Sequence, residues 1–337
     1  MKVLVLSDGV PGHDRSSDGV LAALRRLHDI SPVWLGIREV RPRSRRLARV
    51  AAAFASPQRW LDASVRYGST AAGAHSGEIV TDWPDAAELV VSTGPSTAAA
   101  NIAAARRYRA ANIYCGFAKF PVVGYSLILS PVPASSRRVA LAPRPTDIDR
   151  ESLRTPTPVD PQAECEIAVL VGGDTKHYRY TAADFAQLAD RLVAIIAAFP
   201  RWRLTVFDSR RTPAGPFEAL VTRLAPHADR CAIHRFLVGG IASNRPAFEA
   251  DAVIVTADSL SMTTEAMAAG RPTIVVAPMR YHGPARDRQE LTKLETGGSI
   301  VRARFDGLDG RLLMATPAPP PYSAARALAE LLREHGF

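Results

Sequence analysis

The amino-acid sequence predicts an α/β protein with mostly parallel sheets, divided into two similar halves. Short apolar runs alternate with segments of helical period along the chain. Near the middle, "RESLRTPTPVDPQAE" breaks that alternation with Pro, Thr and charge and no period, which reads as a linker. A third observation concerns function: Gly, Ser, Thr and Arg gather directly after apolar runs, at the carboxyl ends of strands, where open α/β sheets bind ligands.

In the first half, residues 1–150, the strand candidates are "KVLVLS", "ELVVST", "NIYCG" and "YSLILS", with helices such as "GVLAALRRL" and "STAAANIAAARRYR" between them. Residues 151–163 form the expected linker, and the second half covers 164–315. There "EIAVLVGG" is a strand running into a Gly turn. The helix "TAADFAQLADRLVAIIAAFP" puts Phe185, Leu188, Leu192, Ile195 and Phe199 on one face. Thr181 with Asp184 three residues on is a capping pattern, and Pro200 stops the helix. The strand "RLTVFDS" and the segment "CAIHRF" follow. Then comes "DAVIVTADSLSMTTEAMAAGRPTIVVAP", a strand, a crossover helix expected from near Met262 to Gly270, and a second strand. The Pro-rich "TPAPPPYS" at 316–323 leads to a terminal helix, "AARALAELLREHG", expected to pack back on the first half. Two such halves imply a cleft between them.

With 47% apolar and 22% charged residues among 337, the chain has the balance of a soluble globular protein, and a disordered class is excluded. The opening "MKVLVLSDGVPGH" is too short an apolar run for a signal peptide or a membrane span, so a cytoplasmic location is expected. Cys115, Cys165 and Cys231 are widely spaced, with no CxxC and no His at ligand spacing. Neither disulfides nor a metal site is expected. The net charge of +9 invites anionic partners. Arg38, Arg41, Arg43, Arg45, Arg46 and Arg49 crowd one stretch that continues into the more apolar "VAAAFASPQRWL". It is either a solvated basic face or a surface for anionic lipid or a charged acceptor, which would place the protein peripherally at the inner face of a membrane. Nucleic acid is not an expected partner, because the aromatic interleaving of single-strand binders is missing.

Four stretches could carry chemistry, and each has an ordinary reading beside the functional one. In "DSLSMTTEAMAAG" a helix N-terminus with Ser259, Ser261, Thr263 and Thr264 can hold phosphate oxygens, and Glu265 one turn in can accept from a ribose diol. The same hydroxyls could simply cap the helix, with Glu265 complementing its dipole. In "VLVGGDTKHYRY", Gly172 and Gly173 follow a strand and allow close backbone approach to a ligand, with Lys176 and His177 at what reads as a helix entry. Neither the P-loop nor the dinucleotide pattern is present. In "VFDSRRTPAG", Ser209, Arg210, Arg211 and Thr212 pass just beyond a strand end, where two arginines can neutralise a diphosphate or form a plain surface pair. In "SDGVPGHDRS", Gly9 and Gly12 flank a turn that presents His13, with Asp8 near enough to orient the imidazole for general-base work. A structural histidine is the alternative there. "STGPSTAAAN" resembles another helix-entry pocket.

Taken in order, these stretches resemble the GT-B class of glycosyltransferases, α/β proteins with two Rossmann-like domains and mostly parallel sheets facing across a cleft. "DSLSMTTEAMAAGRPTIVVAP" and "GVPGH" are similar to segments of the bacterial N-acetylglucosaminyltransferase of peptidoglycan synthesis, where a Glu at the position of Glu265 holds the ribose and the His of the first loop is proposed as catalytic. A nearer resemblance is to the mitochondrial-fission Elm-type family of bacteria and plants, described as candidate glycosyltransferases or as proteins of unproven activity. "SDGVPGH", "VGGDTKHY", "SRRTP" and "NRPAFEADAVIVTADSLSMTTEAMAAGRP" match that family's hallmarks in order and spacing over most of residues 165–280. The first half departs from the pattern: Ser16 stands where the family usually has Gln, and "CGFAKFP" where it has a Gln-Asp-Pro-like segment.

The resemblance implies that Ser259, Ser261, Thr263 and Glu265 hold the diphosphate and ribose of a nucleotide sugar. Gly172, Gly173, Arg210 and Arg211 would surround the same phosphates, "IHRFLVGG", ahead of Asn244, would lie beside the base, and Lys176, Ser209, Phe236 and Asn244 would complete the donor-binding set. The expected activity is metal-independent transfer of a sugar from a nucleotide-diphosphate sugar, a UDP-sugar foremost, to an acceptor hydroxyl on a cell-envelope glycan or lipid. His13 and Asp8 would be catalytic, and no further cofactor is needed. The alternatives are a nucleotide-sugar epimerase and a non-catalytic scaffold at a membrane surface.

Overall fold

The computed structural model describes residues 1–40, 44–68, 77–118, 122–236, 244–316 and 323–337. Arg41 and Arg43 of the basic stretch, 119–121 of "CGFAKFP", 237–240 of "IHRFLVGG" and 317–322 of the Pro-rich stretch lie outside them. Two compact units are present. The first takes Met1–Asp149 and the C-terminal residues from 323 onward, and the second runs from Arg150 through Thr316.

Unit 1 contains β1 (Lys2–Ser7), α1 (Pro11–Arg25), β2 (Ser31–Glu39), α2 (Arg45–Phe54), α3 (Pro57–Ser64), β3 (Val65–Tyr67), β4 (Glu78–Val80), β5 (Leu89–Thr93), α4 (Ala98–Tyr108), β6 (Ala111–Cys115), β7 (Leu127–Ser130) and β8 (Val139–Leu141). The sheet order is β3-β2-β1-β5-β6-β7-β8 with β4 beside β2, and among the described residues only the β2–β3 pairing is antiparallel. Because helices cover both faces, the strands read as unbroken apolar runs. In β1, Leu4 and Leu6 pack with Trp60, Ile102 and Tyr125 on one face, while Val3 and Val5 pack with Val20 and Leu24 on the other. α1 starts at Pro11, eight residues before "GVLAALRRL", because a proline at the first helical position needs no N–H partner and has a preset φ. This corrects the expectation of a turn: Gly12 and His13 are helical.

Unit 2 contains β9 (Cys165–Leu170), α5 (Ala182–Ala198), β10 (Trp202–Phe207), α6 (Ala214–Leu224), β11 (Cys231–His234), β12 (Ala252–Thr256), α7 (Leu260–Ala268), β13 (Thr273–Ala277), α8 (Ala285–Thr296), β14 (Val301–Arg304) and α9 (Arg311–Ala315). All its strands are parallel, in the order β11-β10-β9-β12-β13-β14. The predicted face of α5 is buried against Trp202, Leu204 and Phe217. Its start at Ala182 is fixed by the reciprocal Thr181–Asp184 cap. Lys176 and His177 therefore lie in a loop before the helix, not at its entry.

α7 begins at Leu260, two residues earlier than predicted, because the Ser259 hydroxyl accepts from the Met262 N–H. Gly270 closes it with a φ of 69°, the left-handed conformation glycine adopts freely. The segment read as a linker lies along unit 2. Arg154 and the Thr157 N–H both donate to Asp251, each at 2.7 Å, and Asp251 also accepts from the Glu166 N–H. Burial of Asp251 works against its ionisation, but these donors outweigh it and hold the carboxyl below its ordinary range. The last helix, α10 (Ala324–Glu334), returns to unit 1, where Leu328, Ala329 and Leu332 join Val20 and Leu24.

Candidate functional site

Each sheet has a point where the strand order reverses, and loops on either side of it diverge to leave a crevice at the carboxyl ends of the strands. In unit 2 the chain builds outward from β9 to β10 and β11, then returns to lay β12, β13 and β14 on the other side. The crevice is thus framed by the loops after β9, β10 and β12. Those loops carry three of the four stretches singled out above.

One buried carboxylate ties them together. The Asp258 side chain is fully buried and accepts from Arg211 Nη2 at 3.0 Å, the Gly173 N–H at 2.9 Å, the Tyr180 hydroxyl at 2.8 Å and the Thr256 hydroxyl at 2.7 Å. Thr256 Oγ1 in turn accepts from the Gly172 N–H at 2.7 Å. Burial raises the Asp258 carboxyl above its ordinary range, and Arg211 and the other donors oppose that shift. The same burial, with the Asp258 charge beside it, pushes the Tyr180 phenol well up. Thr212 Oγ1 receives the Ser209 N–H and donates to the Gly172 carbonyl, which stitches the β10 loop to the glycine turn.

The glycines are needed for this close approach. A methyl group on Gly172 would run into the Asp258 carboxylate, and one on Gly173 into the Arg211 backbone. At α7, Ser259 caps the helix while Thr263 and Thr264 donate back to the Ser259 and Leu260 carbonyls at 3.1 and 2.9 Å. Ser261, half-buried in the first turn, makes no side-chain hydrogen bond among the described residues. Glu265 is buried one turn further on, at 3% exposure.

The structure therefore gathers Gly172, Gly173, Ser209, Arg211, Ser259 and Ser261 at one strand-end crevice. Arg210 is exposed on the turn beside Arg211, and Lys176 is exposed on its loop. Phe236 and Asn244 belong to the β11 side: the Phe236 N–H donates to the Asp208 carboxylate, which also takes Arg235 Nε at 2.9 Å, and Asn244 is buried ahead of a short 3-10 turn. Sequence reasoning missed Asp258 and Tyr180. A carboxylate just after a strand reads locally as a helix-capping residue, and Asp258, the first residue of "DSLSMTTEAMAAG", carries no further local signal.

Unit 1 reverses its strand order between β1 and β5. There His13 Nδ1 lies 3.0 Å from both carboxylate oxygens of Asp8. The imidazole side chain is 31% exposed and that of Asp8 only 6%. Gly94, after β5 and with a φ of 94°, lies so close that a methyl there would strike the imidazole. With Nδ1–H donated to Asp8, Nε2 is left as the basic nitrogen. Asp14, next on α1, is 96% buried, Oδ2 has no hydrogen-bond partner, and burial pushes its carboxyl up to about 6.

A family model described as mitochondrial fission ELM1 matches residues 11–335. No curated protein matches the chain in sequence. Among solved structures, a Listeria monocytogenes chain assigned as a UDP-N-acetylglucosamine 2-epimerase superposes with a TM-score of 0.57 at 11% identity, covering 99% of this chain and 96% of that one. The S. aureus MnaA–UDP complex gives 0.53 at 12% identity, with the same coverage. The Neisseria meningitidis UDP-GlcNAc 2-epimerase bound to UDP-GlcNAc gives 0.50 at 11%, covering 99% of this chain and all of that one. At these identities the likeness is one of fold, the GT-B-like pair of Rossmann-type units.

Proposed function

Since the chain belongs to the mitochondrial fission ELM1 family and has a GT-B-like fold, we propose that it is a glycosyltransferase that uses a nucleoside-diphosphate sugar, a UDP-sugar foremost. The observation that carries this reading is the crevice of unit 2, where Arg211, held by Asp258, stands beside the glycine turn and the first turn of α7. A cation held in place, together with the first N–H groups of α7 and the Ser261 hydroxyl, suits a diphosphate. Solved structures of the same fold hold UDP and UDP-GlcNAc, which favours uracil as the base.

In the proposed reaction the bond between the anomeric carbon and the diphosphate oxygen breaks, and the acceptor oxygen forms the new bond to that carbon. Arg211, Arg210 and the α7 N-terminus take up the charge that develops on the departing diphosphate. The acceptor hydroxyl gives its proton to His13 Nε2, with Asp8 holding the ring and stabilising the imidazolium. Gly172, Gly173, Lys176, Ser209, Ser259 and Ser261 are assigned to the phosphates, Thr263 and Glu265 to the ribose side, and Phe236 and Asn244 to the base. The acceptor is a hydroxyl of a cell-envelope glycan or lipid, met from the cytoplasmic side of the membrane.

The test is to incubate the protein with UDP-sugars, alone and with bacterial membrane extract, and to follow UDP release and the sugar products. UDP release that requires the extract and disappears in His13→Ala supports transfer. Epimerised sugar nucleotide formed without an acceptor replaces transfer by epimerisation. No turnover of any sugar nucleotide leaves a non-catalytic scaffold.

A further inference from the structure

We infer that the outward face of α2 is a docking surface for an anionic lipid bilayer. Leu47, Val50 and Phe54 are 68%, 38% and 71% exposed. Their spacing of three and four residues aligns them in one stripe along the helix. The opposite face, with Arg49 and Ala52, is the buried one. Among the described residues, six of the eight exposed large hydrophobics fall between Val40 and Ile79 in the sequence. Val40 and Tyr67 are also exposed, at the β2–β3 edge where Ile37 and Tyr67 are paired.

The charge around the stripe selects the occupant. Between Arg38 and Tyr67 the sequence has eight arginines against two carboxylates, Glu39 and Asp62, which is six of the nine net positive charges of the chain. α2 itself carries three arginines and no acid, and Glu39 lies 3.4 Å from Arg45. The core of a protein interface is depleted in charge. Leu and Phe flanked by arginines on a short amphipathic helix are instead the composition of an interfacial membrane element. No described helix is long and apolar enough to cross a membrane, so the contact is at the surface of the bilayer.

The position of the helix gives the contact a use. β2 runs parallel to β1 with Gly36 opposite Ser7, so α2 departs from the end of the sheet that carries Asp8 and His13. Docking through α2 would hold that end of unit 1 at the lipid surface, where a lipid-linked hydroxyl is presented. The inference draws on unit 1 alone and stands whether or not unit 2 binds a nucleotide.

Sedimentation of the full chain with vesicles of phosphatidylcholine, with and without phosphatidylglycerol, tests it. Binding is expected only to the phosphatidylglycerol vesicles and should weaken as salt rises. The double variant Leu47→Gln with Phe54→Gln should lose at least about tenfold in vesicle affinity. Leu141→Gln, another exposed apolar residue, should bind as the parent does. All these side chains are exposed, so thermal unfolding should be unchanged, and nucleotide titration of the double variant reports on unit 2 separately. Absence of vesicle binding, or equal binding by the folded double variant, overturns the inference. Self-association abolished by the same substitutions without vesicle binding also overturns it, in favour of a protein partner.

Discussion

At the reversal point of unit 2 one buried carboxylate, Asp258, takes four hydrogen bonds and fastens three loops. At the matching point of unit 1 a half-exposed imidazole leans on Asp8, and a neighbouring buried carboxylate, Asp14, keeps an oxygen unpaired. The same topology thus supports two regimes. A satisfied network fixes donors in place, which suits recognition of a ligand whose charge does not change before reaction. Titratable groups in partly desolvated surroundings suit the movement of a proton.

Removing the carboxylate from unit 2 should have the largest effect. Asp258→Ala strands the Arg211 guanidinium, the Tyr180 hydroxyl and the Gly173 N–H, and urea unfolding should show a loss of about 3 to 5 kcal/mol. A loss under about 1 kcal/mol would mean that the loops hold themselves without Asp258. In unit 1 the contrast runs the other way. His13→Ala should lower turnover by about a hundredfold or more while leaving the melting temperature nearly unchanged, because a half-exposed side chain contributes little packing.

Asp14 sharpens the comparison through pH. Its carboxyl is raised from 3.8 to about 6 by burial first, so the folded state holds the proton more tightly than the unfolded chain. Stability from this group is complete below about pH 4 and is lost as pH rises through 6. Asp14→Asn should therefore stabilise the protein by up to about 3 kcal/mol at pH 7.5, with the gain vanishing at pH 4, as read by thermal unfolding at both values. A gain independent of pH would contradict the assignment. The smallest effects belong to the exposed cations. Lys176→Ala and Arg210→Ala should each change stability by no more than about 0.5 kcal/mol and weaken UDP binding by under about tenfold.

What the sequence disclosed follows from how local each feature is. The Thr181–Asp184 cap, the buried face of α5 and the strand ends after "AVL", "TVF" and "VIVT" depend on neighbours within a turn or two, and periodicity exposes them. Asp258 and its partners do not: Tyr180 and Gly173 reach it from 78 and 85 residues away, and no local pattern encodes that. Short edge strands such as β3 and β8, three residues each, carry too few alternations to stand out. The hydroxyl run of α7 was readable as a helix entry. Its division of labour, with Ser259, Thr263 and Thr264 serving the helix and Ser261 left over, appears only in the hydrogen bonds. In the sequence the glycine pair reads as room for a ligand, whereas its close neighbours in the structure are Asp258 and the Arg211 backbone.

The most direct test of the central claim is calorimetric titration of the protein with UDP, GDP, ADP and CMP, repeated on Glu265→Gln. The account predicts micromolar binding of one nucleoside diphosphate, UDP foremost, weakened at least about tenfold in the variant, as expected for one lost charge-assisted hydrogen bond. Folded protein that binds none of the four, or a variant that binds as well as the parent, would contradict it.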